Sequence, residues 1–212
     1  MDIYFVLVGA DRVRPTPVLI ATILGAFDPI ARAAGRQLQV ITGPAPARVP
    51  PSNVFRLNFA LTTSAAARRT LGYDSGAGRS ICMRGLNRPV ALGEEGGGSV
   101  FVDVILDFRV GGGAQMTGTM LRNPSVNYGA QAELVFENND PVFARAVGAT
   151  AIHELGHMIG RLGDTADATN FMGPASDRRA AGNRELIRRT MSEKSFTPAQ
   201  VARLQSAFRA LP

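Results

Sequence analysis

The chain has 212 residues, 45% of them hydrophobic and 19% charged, enough for one domain with a sizeable core and unlike a disordered composition. No apolar run approaches the ~18 residues of a membrane span, and the single cysteine, Cys82, excludes an intramolecular disulfide framework and reads as a buried thiol. The net charge of +6 comes from 22 arginines and one lysine, Lys194, a bias that reflects genome composition as much as function and only weakly favours acidic partners.

Met1 and Asp2 precede a short apolar run without a positive leader region, so no secretion signal is read there. Ile3 to Val8 reads instead as a first, buried strand. Thr16-Pro17 resembles an N-cap with proline at the first helical position, opening a helix to about Ala34. Pro29 should kink that helix or start a second piece, and Gly35 should stop it. Leu38 to Thr42 and Val54 to Leu61 read as the next two strands. Residues 63–98 are glycine-rich, with a short strand near Ile81-Cys82-Met83. Val100 to Val110 is a strong strand candidate that spaces Asp103, Asp107 and Arg109 to share a face. Gly96-Gly97-Gly98 and Gly111-Gly112-Gly113 bracket it as flexible loops, neither with the Gly-Lys-Ser/Thr of a phosphate-binding loop. Gln131 to Glu137 reads as the last strand.

Asp140-Pro141 then caps a helix to about Ile159, apolar on most sides and therefore buried. Beyond Gly160 the chain is turn-rich to Pro174, and Arg178 to Arg189 reads as a solvated charged segment. Thr197-Pro198-Ala199-Gln200 fits a capping box for a final helix, with Val201, Leu204, Phe208 and Leu211 as its buried stripe.

Only two histidines occur, and both fall in His153-Glu154-Leu155-Gly156-His157. Random placement of two His and seven Glu gives that pattern in about 3 of 10,000 chains. Residues four apart lie on one helix face, so both imidazoles can grip one ion, and nitrogen ligands suit zinc. Glu154 lies beside the pair without joining it, as a general base requires. An apolar helix has no structural use for His, Glu and His, because burying charge is costly. A catalytic site needs a third ligand. Gly160 can end the helix in a left-handed conformation and turn the chain back towards the metal, where Asp164 and Asp167 follow. Asp164 is the preferred ligand, Asp167 the second choice, and either can equally be a turn residue.

His153 to Gly160 resembles the metzincin clan of zinc endopeptidases, whose motif runs His-Glu-x-x-His-x-x-Gly-x-x-His/Asp. Asn170-Phe171-Met172-Gly173-Pro174 is similar to that clan's Met-turn, with Met172 as a structural floor beneath the metal. The clan's third-ligand position is Gly163, one residue before Asp164; a single-residue insertion accounts for this and for the eight residues from Asp164 to Met172. The resemblance implies an α+β, zincin-like fold: a twisted, mixed five-stranded sheet, a long buried active-site helix and a small C-terminal subdomain ending in a helix. It divides a single catalytic domain, 1–212, into subdomains 1–160 and 161–212. It also implies a zinc-dependent endopeptidase, with His153, His157 and Asp164 on Zn2+ and Glu154 as base and acid. The substrate would be a protein or peptide, extended along an edge strand within 99–120. A secreted monomer is expected. No tyrosine closely follows Met172, so the fifth ligand of astacins and serralysins is missing, and Cys82 lies within the domain, unlike the zinc-blocking thiol of some zymogens.

Three rivals stand beside this reading. The first keeps the fold as a catalytically impaired binding or toxin-like module with a degenerate metal site. The second takes Glu185 as third ligand, in the manner of gluzincins, and leaves Gly160 and Met172 unexplained. The third is a nucleic-acid binder, disfavoured because the arginines are scattered without aromatic interleaving. Asp103, Asp107, Glu94 and Glu95 read as solvated acids in preference to a calcium site.

Overall fold

The computed structural model of the protein describes residues 2–9, 14–60, 85–88, 96–101, 141–173 and 193–212. The expected strands at 81–83, 131–137 and beyond Phe101, the Asp140 cap, the glycine run 111–113 and the segment Arg178 to Arg189 lie outside these residues. So do Cys82, Glu94, Glu95, Asp103, Asp107, Arg109 and Glu185.

The N-terminal apolar run forms β1 (Asp2–Gly9). It pairs in parallel with β2 (Gln37–Ile41) on one side and with β3 (Val54–Ala60) on the other. Flanked on both edges, β1 is also covered on both faces. Ile3, Phe5 and Leu7 enter the main core, while Tyr4 and Val6 join Val54 in a second cluster roofed by Ala45 and Val49. That explains an uninterrupted hydrophobic strand where a half-solvated one would alternate.

Past β3 the sheet continues into β5 (Gly96–Phe101), parallel, and ends at β4 (Gly85–Arg88), antiparallel, giving the order β2-β1-β3-β5-β4. The sheet is therefore mixed: four strands run parallel, and the four-residue β4 is antiparallel at one edge. Two expectations are corrected here. Gly96-Gly97-Gly98 is no loop: it is the first half of β5, opposite Phe55-Arg56-Leu57 on one side, with Gly97 and Gly98 facing Arg88 and Asn87 on the other. Ladders on both sides outweigh the poor strand propensity of glycine. For the same reason residues 99–101 are not a sheet edge, since β5 lies between β3 and β4.

Among the described residues, two helices cover the main face and a third packs against both of them. In α1 (Pro17–Ala33) the Thr16 hydroxyl accepts from Leu19 N at 3.3 Å, and Leu19, Ile23, Phe27 and Ile30 form the buried stripe. The helix runs through Pro29 as a single element. It stops at Gly35, which is left-handed at φ 76°, while Gly35 N bonds Arg32 O and Arg36 N bonds Ala31 O, a Schellman closure. Helix α2 (Pro141–Gly160) buries Val147, Ala151, Ile152, Leu155 and Met158, and it approaches α1 so closely that a Cβ on Gly148 would meet Thr22 at 2.7 Å. Helix α3 (Pro198–Ala210) begins with the expected capping box of Thr197 and Gln200 and buries Leu204 and Phe208; Val201 and Leu211 are half-buried.

The main cluster runs without a break from Ile3 to Phe208. Edge-on aromatic contacts link Phe5 to Phe27 and Phe27 to Phe208, and tilted ones link Phe27 to Phe196 and Phe196 to Phe171. The Arg36 guanidinium ties the far end of α3 to α1 by donating to the carbonyls of Phe208, Arg209, Leu211 and Pro212. Among the described residues, no helix is long and apolar enough to cross a membrane.

Candidate metal centre

The two histidines sit on the last two turns of α2, each about 20% exposed, while residues 151, 152, 154–156 and 158–160 around them are buried. Each ring is oriented by a backbone carbonyl. His153 Nδ1 lies 3.0 Å from Phe171 O and His157 Nδ1 lies 2.5 Å from Leu162 O. A carbonyl oxygen only accepts, so both Nδ1 atoms carry the proton and both Nε2 atoms present lone pairs in the neutral rings. Burial pushes the His153 imidazole below its ordinary 6.5, and the His157 ring and Lys194 push the same way, while the Phe171 carbonyl and Asp164 oppose them. His153 is therefore neutral, as a ligand must be, at neutral pH.

The two Nε2 atoms are 3.0 Å apart, and Asp164 Oδ1 lies 3.3 Å from one and 3.2 Å from the other. Ligands spaced tetrahedrally at about 2.0 Å from an ion stand about 3.3 Å from one another. The triangle of donors thus has the dimensions of one face of such a tetrahedron. Two unprotonated nitrogens in contact repel unless a cation or a proton lies between them. His153, His157 and Asp164 are a group that could hold a metal ion.

The chain reaches Asp164 by a route that differs from the expected one. Helix α2 does end at Gly160, but the left-handed residue is Arg161, at φ 47°. Gly160 is needed for another reason: a Cβ there would stand 2.9 Å from Leu204 and 3.1 Å from Leu162, so its hydrogen lets α3 approach. Leu162 then drops into the core, its N–H returning to Gly156 O at 3.3 Å and its carbonyl meeting His157. Gly163 is exposed, and Asp164, also exposed, swings its carboxylate over the imidazole pair.

Asp167 is used differently. Its Oδ1 accepts from Thr169 N at 2.9 Å and from the Thr169 hydroxyl at 2.7 Å, an Asx turn that holds its carboxyl below the usual range. It takes no part in the histidine group. Met172 is fully buried, and a Cβ on Gly156 would fall 2.6 Å from its sulfur. The methionine thus packs against the helix between the two histidines, where glycine alone leaves room. Gly173 has no alternative either, since a Cβ would overlap the Asp167 carbonyl. Glu154 is buried, 5% exposed, on the same turn of α2.

Sequence reasoning missed the scaffold of the 167–173 turn. Asn170 accepts from Met172 N at 2.7 Å through Oδ1 and donates through Nδ2 to Gln200 Oε1 at 2.8 Å. Its carbonyl accepts from Lys194 Nζ at 2.9 Å and from Gly173 N at 3.0 Å. Phe171 N bonds Ser195 O, and Ser195 N bonds Thr169 O, as an isolated parallel bridge. One signal was present: the only lysine among 22 arginines stands six residues before Gln200. Compared with protein-family models, with curated proteins and with solved structures, the chain finds no match.

Proposed function

We propose that the chain is a zinc-dependent endopeptidase of the metzincin kind, acting on a protein or peptide substrate. The observation that carries this reading is the approach of two bare imidazole nitrogens and one carboxylate oxygen to within 3.0–3.3 Å of one another. Two nitrogens and one oxygen favour zinc over calcium or magnesium, which take oxygen ligands. Three protein donors suit a catalytic site, whereas structural zinc sites close with four. Met172, packed beneath Gly156, supports the likeness to a Met-turn.

Zinc, when bound, supplies Lewis acidity that polarises water and a substrate carbonyl. The chain's own groups do the rest. His153 and His157 keep their protons on Nδ1, held by the Phe171 and Leu162 carbonyls, so that Nε2 stays a donor of electron pairs. Asp164 adds a negative charge to the pair. Glu154 is assigned the proton traffic: its carboxylate takes the proton from the attacking water and returns it to the leaving amine. What supports this assignment is that Glu154 is buried and next in sequence to His153.

The test is Glu154→Ala in the full chain. About one zinc per chain should remain, by elemental mass spectrometry, while cleavage of a peptide library falls by at least ~100-fold. Undiminished cleavage removes Glu154 from the mechanism. A wild-type chain that holds zinc yet cleaves no peptide gives the site to the binding-module reading.

A further inference from the structure

Resting on the zinc reading above, we infer that Lys194 and Gln200 are positioning residues for the metal ligand His153, acting through the backbone of Asn170-Phe171. Neither belongs to the donor group. Both grip Asn170, whose following carbonyl, that of Phe171, orients the imidazole.

The connections are continuous. His153 Nδ1 is 3.0 Å from Phe171 O. Phe171 is fixed from its amide side by Ser195 O at 3.1 Å. The preceding peptide carbonyl, Asn170 O, accepts from Lys194 Nζ at 2.9 Å, a buried, charge-assisted bond. Asn170 itself is 3% exposed, and its side-chain amide donates to Gln200 Oε1 at 2.8 Å. That same oxygen accepts from Thr197 N at 2.9 Å, closing the capping box of α3. Gln200 thus serves the helix and the turn with one atom. The start of α3 and the seat of His153 are a single hydrogen-bonded unit, joined across 47 residues of chain.

An ordinary helix cap has no need of Asn170, and a buried ammonium needs only some acceptor. Their convergence on one residue, next to the carbonyl that sets a histidine tautomer, is what points to metal positioning. A carbonyl partner of a ligating histidine changes metal affinity by about 10- to 100-fold when lost, and residues one step further back should matter by about 3- to 10-fold.

The experiment compares four variants of the full chain by zinc titration against a competing chelator and by the visible spectrum of the Co2+ form. Gln200→Leu loses both the cap and the Asn170 bond; Gln200→Glu keeps an acceptor for both. Thr197→Ala loses its half of the cap and leaves Asn170 alone; Lys194→Met removes the ammonium. Gln200→Leu and Thr197→Ala should each lower Tm by about 3 °C. Only Gln200→Leu and Lys194→Met should weaken zinc about 3- to 10-fold and alter the Co2+ bands, with Gln200→Glu restored to wild type. Equal zinc affinity in all four folded variants overturns the inference while leaving the zinc reading intact. So does an equal loss in Thr197→Ala and Gln200→Leu, which would mark a general effect of helix stability. A wild-type chain that binds neither Zn2+ nor Co2+ ends both.

Discussion

Helix α1 closes on its own backbone, whereas α2 closes on contacts supplied from further along the chain. At the end of α1, Gly35 takes the left-handed conformation that glycine tolerates, and the amides of residues 34–36 return to carbonyls of the last turn. At the end of α2 the same conformation falls on Arg161, an arginine at φ 47°, and the carbonyl of Leu162 goes to the His157 ring. An L-residue with a side chain in that region costs about 1–2 kcal/mol. The expense is met by Leu162 in the core, Leu204 against Gly160 and Met172 against Gly156. One helix end is thus specified locally; the other holds its shape only while residues 162–173 and α3 are in place.

The sharpest way to break that comparison is Gly173→Ala. Its new methyl would overlap the Asp167 carbonyl, which is backbone and cannot rotate aside. The turn must open, Met172 and Phe171 must shift, and His153 loses its carbonyl partner. We expect a loss of about 3 kcal/mol or more, with zinc no longer retained and with amide protection lost at 153–160 before it is lost at 27–35. Hydrogen exchange that falls equally at both helix ends would show that α2 does not depend on the turn.

Gly156→Ala is next. The nearest atom is the Met172 sulfur at 2.6 Å, part of a flexible side chain, so the cost should be lower, about 1–3 kcal/mol. Adding Met172→Ala should recover part of it by making room, although that change also leaves a cavity. A denaturant series on both single variants and the double one measures the coupling. Strict additivity would mean that the methionine and the helix are not in contact as described.

These pairs also explain what was legible in the sequence. Thr16-Pro17, Gly35 and Thr197-Gln200 are local signals, and each marks the element boundary expected of it. The His-Glu-x-x-His spacing is local as well, and so is the turn that brings Asp164 to it, at least in being short. Gly96–Gly98 was illegible because its strand character comes from β3 and β4, partners 41 and nine or more positions away. The left-handed residue was misassigned to Gly160 because glycine signals two things, freedom of φ and absence of volume, and only α3 decides which is used. Lys194 and Gln200 carry no mark of Asn170 in their own neighbourhood. The apolar pattern and caps are properties of segments; the support of the site is a property of pairs distant in sequence.

A smaller pair of changes weighs the two left-handed residues directly. Gly35→Ala should cost about 1 kcal/mol, from strain at φ 76° with open space around the new methyl. Arg161→Gly should lie within about 0.5 kcal/mol of wild type, because the strain relieved is offset by the greater freedom of glycine in the unfolded chain. Thermal denaturation of both reads the difference. If Arg161→Gly were instead as destabilising as Gly35→Ala, the arginine side chain would be contributing packing that its exposure does not suggest.

The smallest effect separates the two aspartates. Asp167 accepts two hydrogen bonds from Thr169, which hold its folded-state pKa below the ordinary 3.8. A carboxyl that binds its proton less readily when folded stabilises the protein above its unfolded pKa, and that contribution disappears as pH falls through the folded value. Wild type should therefore lose stability relative to Asp167→Asn only below about pH 4, in the acid range where the carboxylate is protonated. The amide still offers an oxygen to Thr169, so near neutral pH the two chains should differ little and zinc should be retained in both. Tm of wild type minus that of the variant, followed from pH 7 to pH 3, gives the answer. A flat difference would mean that the Thr169 bonds do not discriminate the charged carboxyl from the neutral one. Loss of zinc from Asp167→Asn at neutral pH would mean that the second aspartate, and not Asp164 alone, reaches the metal.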